Sequence, residues 1–171
     1  SVGGGLKPFA CGLKFDGQLL CWNTPRSLGE VPSALASRRD WVNVSAGESH
    51  VCALSTANES VCFGQCDTEL HNFGQCSPPT GQQGQWLGVG AGALHSCGLR
   101  ASGKISCFGV DDEGQLGVPD QTSSEPITDW VALSVGGFHA CGLRSGSTIH
   151  CWGDNDYDQI NTPEGLSPWL S

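Results

Sequence analysis

Short apolar segments, separated by glycine and polar turn residues, recur along the whole chain. In each segment, apolar and small side chains alternate with others after a glycine-containing start. Alternation with a period of two, bounded by turn residues, is typical of β-strands. The segments are VGGGLKPFACGL (2–13), VSAGESHVCAL (44–54), VGAGALHSCGL (89–99) and LSVGGFHACGL (133–143). The pattern therefore predicts an all-β chain.

The four segments are copies of one repeating unit. They start 42, 45 and 44 residues apart, and the first contains one extra residue. Self-similarity at this period is typical of arrays and propellers. Aromatic residues mark equivalent places in the repeats, at Trp22, Phe63, Phe108 and Trp152 and at Trp41, Trp86 and Trp130. We predict one repeat domain over 1–171, with repeats at about 2–43, 44–88, 89–132 and 133–171.

Eight of the ten cysteines form four pairs, and the two members of each pair are ten positions apart. If they lie directly opposite each other on antiparallel strands, their Cβ atoms are about 4.5–5.5 Å apart, close to disulfide reach. The spacing therefore predicts hairpins that each carry a disulfide, which indicates an oxidising compartment. The pairs are Cys11 with Cys21, Cys52 with Cys62, Cys97 with Cys107, and Cys141 with Cys151.

This register leaves a three-residue loop at the tip of each hairpin. Such a loop favours a last residue in the left-handed backbone region, normally Gly and next Asn. Gly17, Asn58 and Gly103 meet this requirement. Ser147 does not, and we expect the neighbouring Gly146 to absorb the strain.

The remaining two cysteines, Cys66 and Cys76, lie in an insertion of the second repeat. With Cys62 and His71 they are one residue away from the spacing of a zinc knuckle, a module that binds single-stranded nucleic acid. Against that alternative, the repeat already pairs Cys62 with Cys52. We therefore predict a fifth disulfide between Cys66 and Cys76 and no metal site.

The repeats resemble those of the regulator of chromosome condensation family. The resemblance is carried by GESHVCALSTANESVCFGQC, GALHSCGLRASGKISCFGVDDEGQLG and GFHACGLRSGSTIHCWGDNDYDQ. They follow that family's pattern of Gly-x-x-His, an apolar strand, a Gly turn, Trp-Gly-x-Asn and Gly-Gln-Leu-Gly. The cysteine pairs are most similar to secreted members, such as bacterial surface proteins and the ectodomains of crinkly-type plant receptor kinases.

The resemblance implies a β-propeller of four-stranded blades, usually seven in number. This chain departs from the family in having four repeats, which we expect to form a propeller-like array. It also departs at Phe9, which replaces the repeated His, and at Asp158-Gln159, where Gly-Gln is expected. The His at the other three positions, His50, His95 and His139, recur once per repeat, so we expect them to satisfy backbone groups in each hairpin rather than to form a reactive cluster.

Acidic residues fill the same loop in the last two repeats. They form either a solvated acidic rim that takes part in binding or, as a weaker alternative, a calcium loop, although the Gly and distal Glu of an EF-hand are missing. The candidate binding residues are Asp111, Asp112, Glu113, Asp154, Asp156, Tyr157 and Asp158. Asn58 and Asn43 begin glycosylation sequons, and the hairpin position of Asn58 favours modification there.

Charge narrows the classes of partner. The chain has 8 basic and 17 acidic residues, a net charge of −9, which disfavours nucleic acid and anionic lipid surfaces. No apolar run reaches the length of a membrane-spanning helix, so we expect no membrane insertion. Four unclosed repeats expose sheet edges and apolar faces, which predicts a homo-oligomer or further repeats of a longer chain.

These observations favour a secreted or cell-surface interaction module that binds a protein or glycan through its inter-strand loops. The alternative is a structural repeat protein that assembles into a fibre, wall or surface coat. No nucleophile elbow, zinc-protease helix or paired-carboxylate helix is present in the sequence. We therefore expect no enzymatic activity and no cofactor.

Overall fold

The computed structural model describes residues 2–3, 9–24, 30–66, 72–79, 85–119 and 127–163. Within these ranges the chain forms twelve strands and one short helix, α1 (Ser33–Ala36). The strands are β1 (Val2–Gly3), β2 (Phe9–Leu13), β3 (Leu19–Trp22), β4 (Trp41–Ala46), β5 (His50–Ser55), β6 (Ser60–Gly64), β7 (Trp86–Ala91), β8 (His95–Arg100), β9 (Ile105–Gly109), β10 (Trp130–Val135), β11 (His139–Arg144) and β12 (Ile149–Gly153). In the described part of the chain, no helix is long and apolar enough to cross a membrane.

The strands form four antiparallel sheets, one for each predicted repeat, and the order of strands in each sheet is their order in the chain. We call these sheets blade 1 (β1–β3), blade 2 (β4–β6), blade 3 (β7–β9) and blade 4 (β10–β12). The predicted all-β propeller-like array is thus confirmed. The prediction of four strands per blade differs from the structure, since the described residues of each blade form three. Much of the chain between blades, where a fourth strand would be sought, lies outside the described residues.

The two later strands of every blade pair in the register that the cysteine spacing predicts. Each pair of cysteines lies directly opposite across the hairpin, and their Cα atoms are 4.0–4.1 Å apart. All four hairpin disulfides are formed. Cys66 and Cys76 are joined as the fifth disulfide, and no cysteine is free to ligate zinc.

The hairpin tips have the predicted three-residue loops, but one detail was wrong. The last loop residue has a positive φ in all four blades: 78° at Gly17, 60° at Asn58, 72° at Gly103 and 59° at Ser147. Ser147 therefore enters the left-handed region itself, and Gly146 does not take up the strain. The reason is that the disulfide and the strand register hold the loop to one length and one backbone path.

We expect Ser147→Gly to raise the free energy of unfolding by about 0.5–1 kcal/mol. The left-handed region costs a residue with a Cβ about 1–2 kcal/mol, and the extra freedom of Gly in the unfolded chain offsets part of that gain. Urea denaturation measures the change. The reverse exchange, Gly103→Ser, should destabilise the protein by more, because a Cβ at Gly103 would run into the carbonyl oxygen of Thr128. Equal stability of Ser147→Gly and wild type would contradict the strain argument.

The blades stack in chain order through apolar faces. The first strands of neighbouring blades lie against one another, so they line the axis of the array. We call the side of a blade that faces the preceding blade its leading face, and the opposite side its trailing face. Between blades 1 and 2, Phe9 and Cys11 meet Trp41, Val51 and Phe63. Between blades 3 and 4, the packed residues are Cys97, Leu99, Ile105, Val118, Trp130, Ala140 and Trp152.

Candidate functional site

The loops that carry the predicted acidic residues lie at one end of the array. Because the strands of a blade alternate in direction, the turn after the first strand and the loop after the third strand reach the same end. We call this end the loop face. The hairpin tips, including Asn58, lie at the opposite end, which we call the hairpin face.

In blade 3, buried Gln115 holds the acidic loop in shape. Its side-chain Oε1 accepts a hydrogen bond from the backbone N–H of Glu113 at 2.9 Å, and Gln115 is only 2% exposed. Asp111 accepts the backbone N–H of Leu116 at 2.8 Å. Asp111 therefore shapes the loop, and the carboxylates of Asp112 and Glu113 are left to face outward.

The loop of blade 4 is built in the same way from different residues. Gln159 accepts the N–H of Tyr157 at 2.8 Å, as Gln115 does for Glu113. Asn155 takes the place of Asp111 and accepts the N–H of Ile160 at 3.2 Å. Asp158 stands where the family pattern has Gly, and it adopts a φ of 60°. The departure at this position therefore changes the side chain and preserves the backbone conformation.

A cavity of about 260 Å³ opens between these two loops. We call it the acidic pocket. Four carboxylates surround an apolar floor, and the pocket is lined by Leu94, Val110, Asp112, Glu113, Gln115, Phe138, Asp154 and Asp156. Phe138 is 47% exposed, so part of this apolar surface is accessible. Negative charge around an exposed apolar surface suits a cationic group with an aliphatic stem.

Four of the seven candidate binding residues line the acidic pocket: Asp112, Glu113, Asp154 and Asp156. The other three do not. Asp111 caps its own loop, Asp158 accepts a hydrogen bond from Asn161 at 2.8 Å, and Tyr157 projects into solvent at 87% exposed. Among the described residues, no group of three His, Cys, Asp or Glu side chains lies close enough to hold a metal ion.

The apolar floor of the pocket was not predicted from the sequence. Leu94 and Phe138 occupy the turns after the first strands, directly before the repeated His. A hydrophobic residue in a predicted turn was the available signal. Whether such a residue lines a pocket depends on the loop of the same or the neighbouring blade, and that loop is distant in sequence.

Two of the repeated histidines, His50 and His95, lie between blades rather than within hairpins. His50 Nε2 is 2.7 Å from the Ser96 hydroxyl of the next blade, which donates to the Gln75 carbonyl at 2.8 Å. Because the single hydroxyl hydrogen of Ser96 is used on Gln75, Nε2 carries a hydrogen and donates to Ser96. For His50, the expectation that it satisfies its own hairpin was therefore wrong. His95 faces blade 4, where Ala140 replaces the serine, and its Nε2 has no partner.

Burial keeps both histidines neutral. His50 and His95 are 0% and 1% exposed, and loss of solvent lowers the pKa of each to about 4. A positive charge on His95 would lower the pKa of His50 further, and a positive charge on His139 would do the same to His95. The negative charge of Asp111 acts in the opposite direction and raises the pKa of His95. Neutral and buried, both histidines pack between neighbouring blades.

The fold and the sequence together define the class of protein. Residues 87–115 and 130–159 match the family model of the regulator of chromosome condensation (RCC1) repeat. These residues belong to blades 3 and 4. With four blades in sequence and a cysteine pair in each, the chain has an RCC1-type repeat architecture. No curated protein matches the sequence significantly.

Solved structures share the fold at low sequence identity. The CRINKLY WD40 ectodomain of the Arabidopsis thaliana receptor kinase ACR4 is 22% identical over 90% of this chain and 49% of its own, with a TM-score of 0.59. The entire ectodomain of the Physcomitrella patens receptor kinase CR4 is 23% identical over 90% of this chain and 38% of its own, with a TM-score of 0.61. Yeast RCC1 (Prp20), solved bound to Kap60, is 17% identical over 91% of this chain and 43% of its own, with a TM-score of 0.64. This chain thus spans less than half the length of each.

Proposed function

We propose that this protein is an extracellular, non-catalytic interaction module that binds a basic segment of a partner protein in the acidic pocket. The observation that carries the proposal is the placement of Asp112, Glu113, Asp154 and Asp156 around the apolar floor at Phe138. A Lys or Arg side chain has both parts that this pocket complements, a charged head and an aliphatic stem. The net charge of −9 further favours the approach of a cationic partner.

Two further observations support the proposal. Five disulfides suit an oxidising compartment, and two of the similar structures are ectodomains of receptor kinases. Yeast RCC1, of the same fold, was solved bound to another protein, Kap60. For this chain, a glycan is the second class of ligand, and a binding experiment must distinguish it from a basic peptide.

Selection from a displayed random peptide library tests the proposal. We expect the selected peptides to be enriched in Lys and Arg and to lose affinity as salt is raised, because exposed charge pairs are screened. Replacing two pocket carboxylates together, Asp112→Asn with Asp154→Asn, should weaken binding about 10-fold, since each exposed ion pair contributes at most about 1 kcal/mol. The affinity is measured by titration of a labelled selected peptide.

A matched control removes the same charge elsewhere. Asp16→Asn with Glu30→Gln also removes two carboxylates, but both are exposed and lie outside the pocket. We expect this variant to bind like the wild type. Enrichment of neutral peptides, an equal loss in both double variants, or saturable binding to a glycan array without peptide binding would each contradict the basic-peptide proposal.

A separate prediction concerns the sequon at Asn58 and applies if the source of the protein is eukaryotic. Asn58 is exposed at a hairpin tip on the hairpin face, away from the acidic pocket. After secretion from a eukaryotic host, we expect the peptide spanning 56–60 to carry a glycan that a glycosidase removes. Asn43, in the middle of its blade's first strand, should be modified less. An unmodified Asn58 in secreted protein would contradict the expectation.

A further inference from the structure

One position in the loop after the third strand is held in the same way in blades 2, 3 and 4. In each loop, the Oε1 atom of a glutamine accepts the backbone N–H of the residue two places before it. Because the same hydrogen bond fixes the backbone there, the three side chains leave their loops at equivalent places on the loop face. The residues whose N–H donates are Phe73, Glu113 and Tyr157, at N–O distances of 2.8, 2.9 and 2.8 Å.

The loop of blade 2 presents an exposed aromatic side chain on a fixed backbone. Gln75, which closes this loop, is fully buried, and its backbone carbonyl accepts a hydrogen bond at 2.8 Å from Ser96 on the leading face of blade 3. The disulfide between Cys66 and Cys76 closes the same loop a second time. Phe73 nevertheless remains 46% exposed. A partner can cover a rigidly held aromatic ring at little cost in conformational entropy.

The loop of blade 2 borders the acidic pocket at Leu94. A Cβ added at Gly109 would lie 2.5 Å from the carbonyl oxygen of Leu94 and 3.2 Å from the Cβ of Gln75, so both residues pack against this glycine. Leu94 is part of the apolar floor of the acidic pocket, and Gln75 is two residues from Phe73. The exposed ring of Phe73 and the floor of the pocket therefore belong to one continuous part of the loop face.

The two neighbouring loops differ in chemistry at matching positions. Blade 3 presents Asp112 and Glu113 beside the turn of blade 4, whereas blade 2 presents Asn72 and Phe73 beside the turn of blade 3. Asn72 is uncharged, and its Oδ1 accepts the backbone N–H of Gly74 at 3.1 Å. Two carboxylates in one loop are thus replaced by an amide and an aromatic ring in the other. The pair of loops complements a cationic side chain with a hydrophobic side chain next to it.

We propose that the binding surface extends from the acidic pocket to Phe73, and that the partner's segment places a hydrophobic side chain on Phe73 while its Lys or Arg occupies the pocket. This inference rests on the proposed function, because it adds a second feature to the same basic segment. The occupant is a peptide segment, since the two places lie on neighbouring blades and each takes one side chain. Blade 2 has a blade on either side, so the exposure of Phe73 does not come from an uncovered sheet.

Titration of a labelled peptide selected by the wild type tests the inference. Phe73→Ser should weaken binding about 10-fold, whereas Phe73→Leu, which keeps an apolar surface, should retain most of the affinity. Replacing the peptide's hydrophobic residue by Ser should cost the wild type the same factor and cost Phe73→Ser nothing further, because both changes remove one contact. Phe15→Ser is the control, since Phe15 is an exposed aromatic residue at a hairpin tip, on the opposite face. This variant should bind like the wild type.

A change of specificity gives the second measurement. Phe73→Glu supplies blade 2 with the side chain that blade 3 has at Glu113, so peptides selected by this variant should carry a second Lys or Arg in place of the hydrophobic residue. An unchanged preference would overturn the inference. Wild-type affinity in Phe73→Ser, together with a loss in Asp112→Asn with Asp154→Asn, would overturn it and leave the proposed function intact. No loss in either variant, or no selection of basic peptides, would overturn both.

Discussion

Replacing Trp130 by Ala should lower the free energy of unfolding by about 3–5 kcal/mol, the loss typical of a buried Trp. Trp130 is 3% exposed and lies between blades 3 and 4, in the cluster with Leu99 and Ile105. A Cβ added at Gly142 would lie 2.6 Å from its ring, so the ring takes the space that the glycine leaves. Truncation thus removes apolar burial and opens a cavity that the strands cannot close.

Trp130→Phe is the matched control. The indole Nε1 of Trp130 is buried without a hydrogen-bond partner, so Phe loses volume but no hydrogen bond. We expect Phe to cost less than half as much as Ala. Val131→Ala, at an adjacent position that is 49% exposed, should change stability by about 0.5 kcal/mol or less. Urea denaturation at neutral pH measures all three, and a loss below 1 kcal/mol for Trp130→Ala would show that this contact does not hold the blades together.

Acidification from neutral pH to about pH 5 should cost the protein about 4 kcal/mol of stability through His50 and His95. An unfolded histidine takes up its proton near pH 6.5, whereas burial holds the pKa of these two at about 4. Between these values the unfolded chain binds more protons, so stability falls as the pH falls. Each histidine accounts for about 2 kcal/mol at pH 5 by this linkage. Asp40 and Asp129, whose pKa values are lowered by their hydrogen bonds to Arg38 and Arg144, act only below this window.

The double variant His50→Gln with His95→Gln tests this assignment. It should be less stable than wild type at neutral pH, because it disturbs two buried contacts, but its stability should vary much less between pH 6.5 and 5. His150→Gln is the control, since His150 is only partly buried and is not among the groups that shift the pKa of His50 or His95. Urea denaturation at a series of pH values measures the slope. A slope unchanged in the double variant would assign the acid sensitivity to other groups.

The blades themselves could be predicted because their determinants are local. Period-two alternation, a turn residue at each tip and two cysteines ten positions apart all act within one hairpin. The pairing of Cys97 with Cys107, for example, follows from strand geometry that any isolated copy of the repeat would share. The same holds for the left-handed positions at Gly17 and Gly103, which the backbone of a three-residue loop requires.

Contacts between blades were decided only by the tertiary structure. At one repeat position, His50 Nε2 is hydrogen-bonded to Ser96, whereas His95 Nε2 has no partner. The two differ because the facing residue belongs to the next repeat, where Ala140 replaces the serine. The acidic pocket likewise draws Asp112 and Asp154 from loops of two blades. The sequence alone determined the hairpins, their disulfides and the number of blades, since each rests on neighbours in the chain. The burial and pKa of the histidines and the shape of the acidic pocket depend on which blade faces which, because packing between blades sets the distances between these residues.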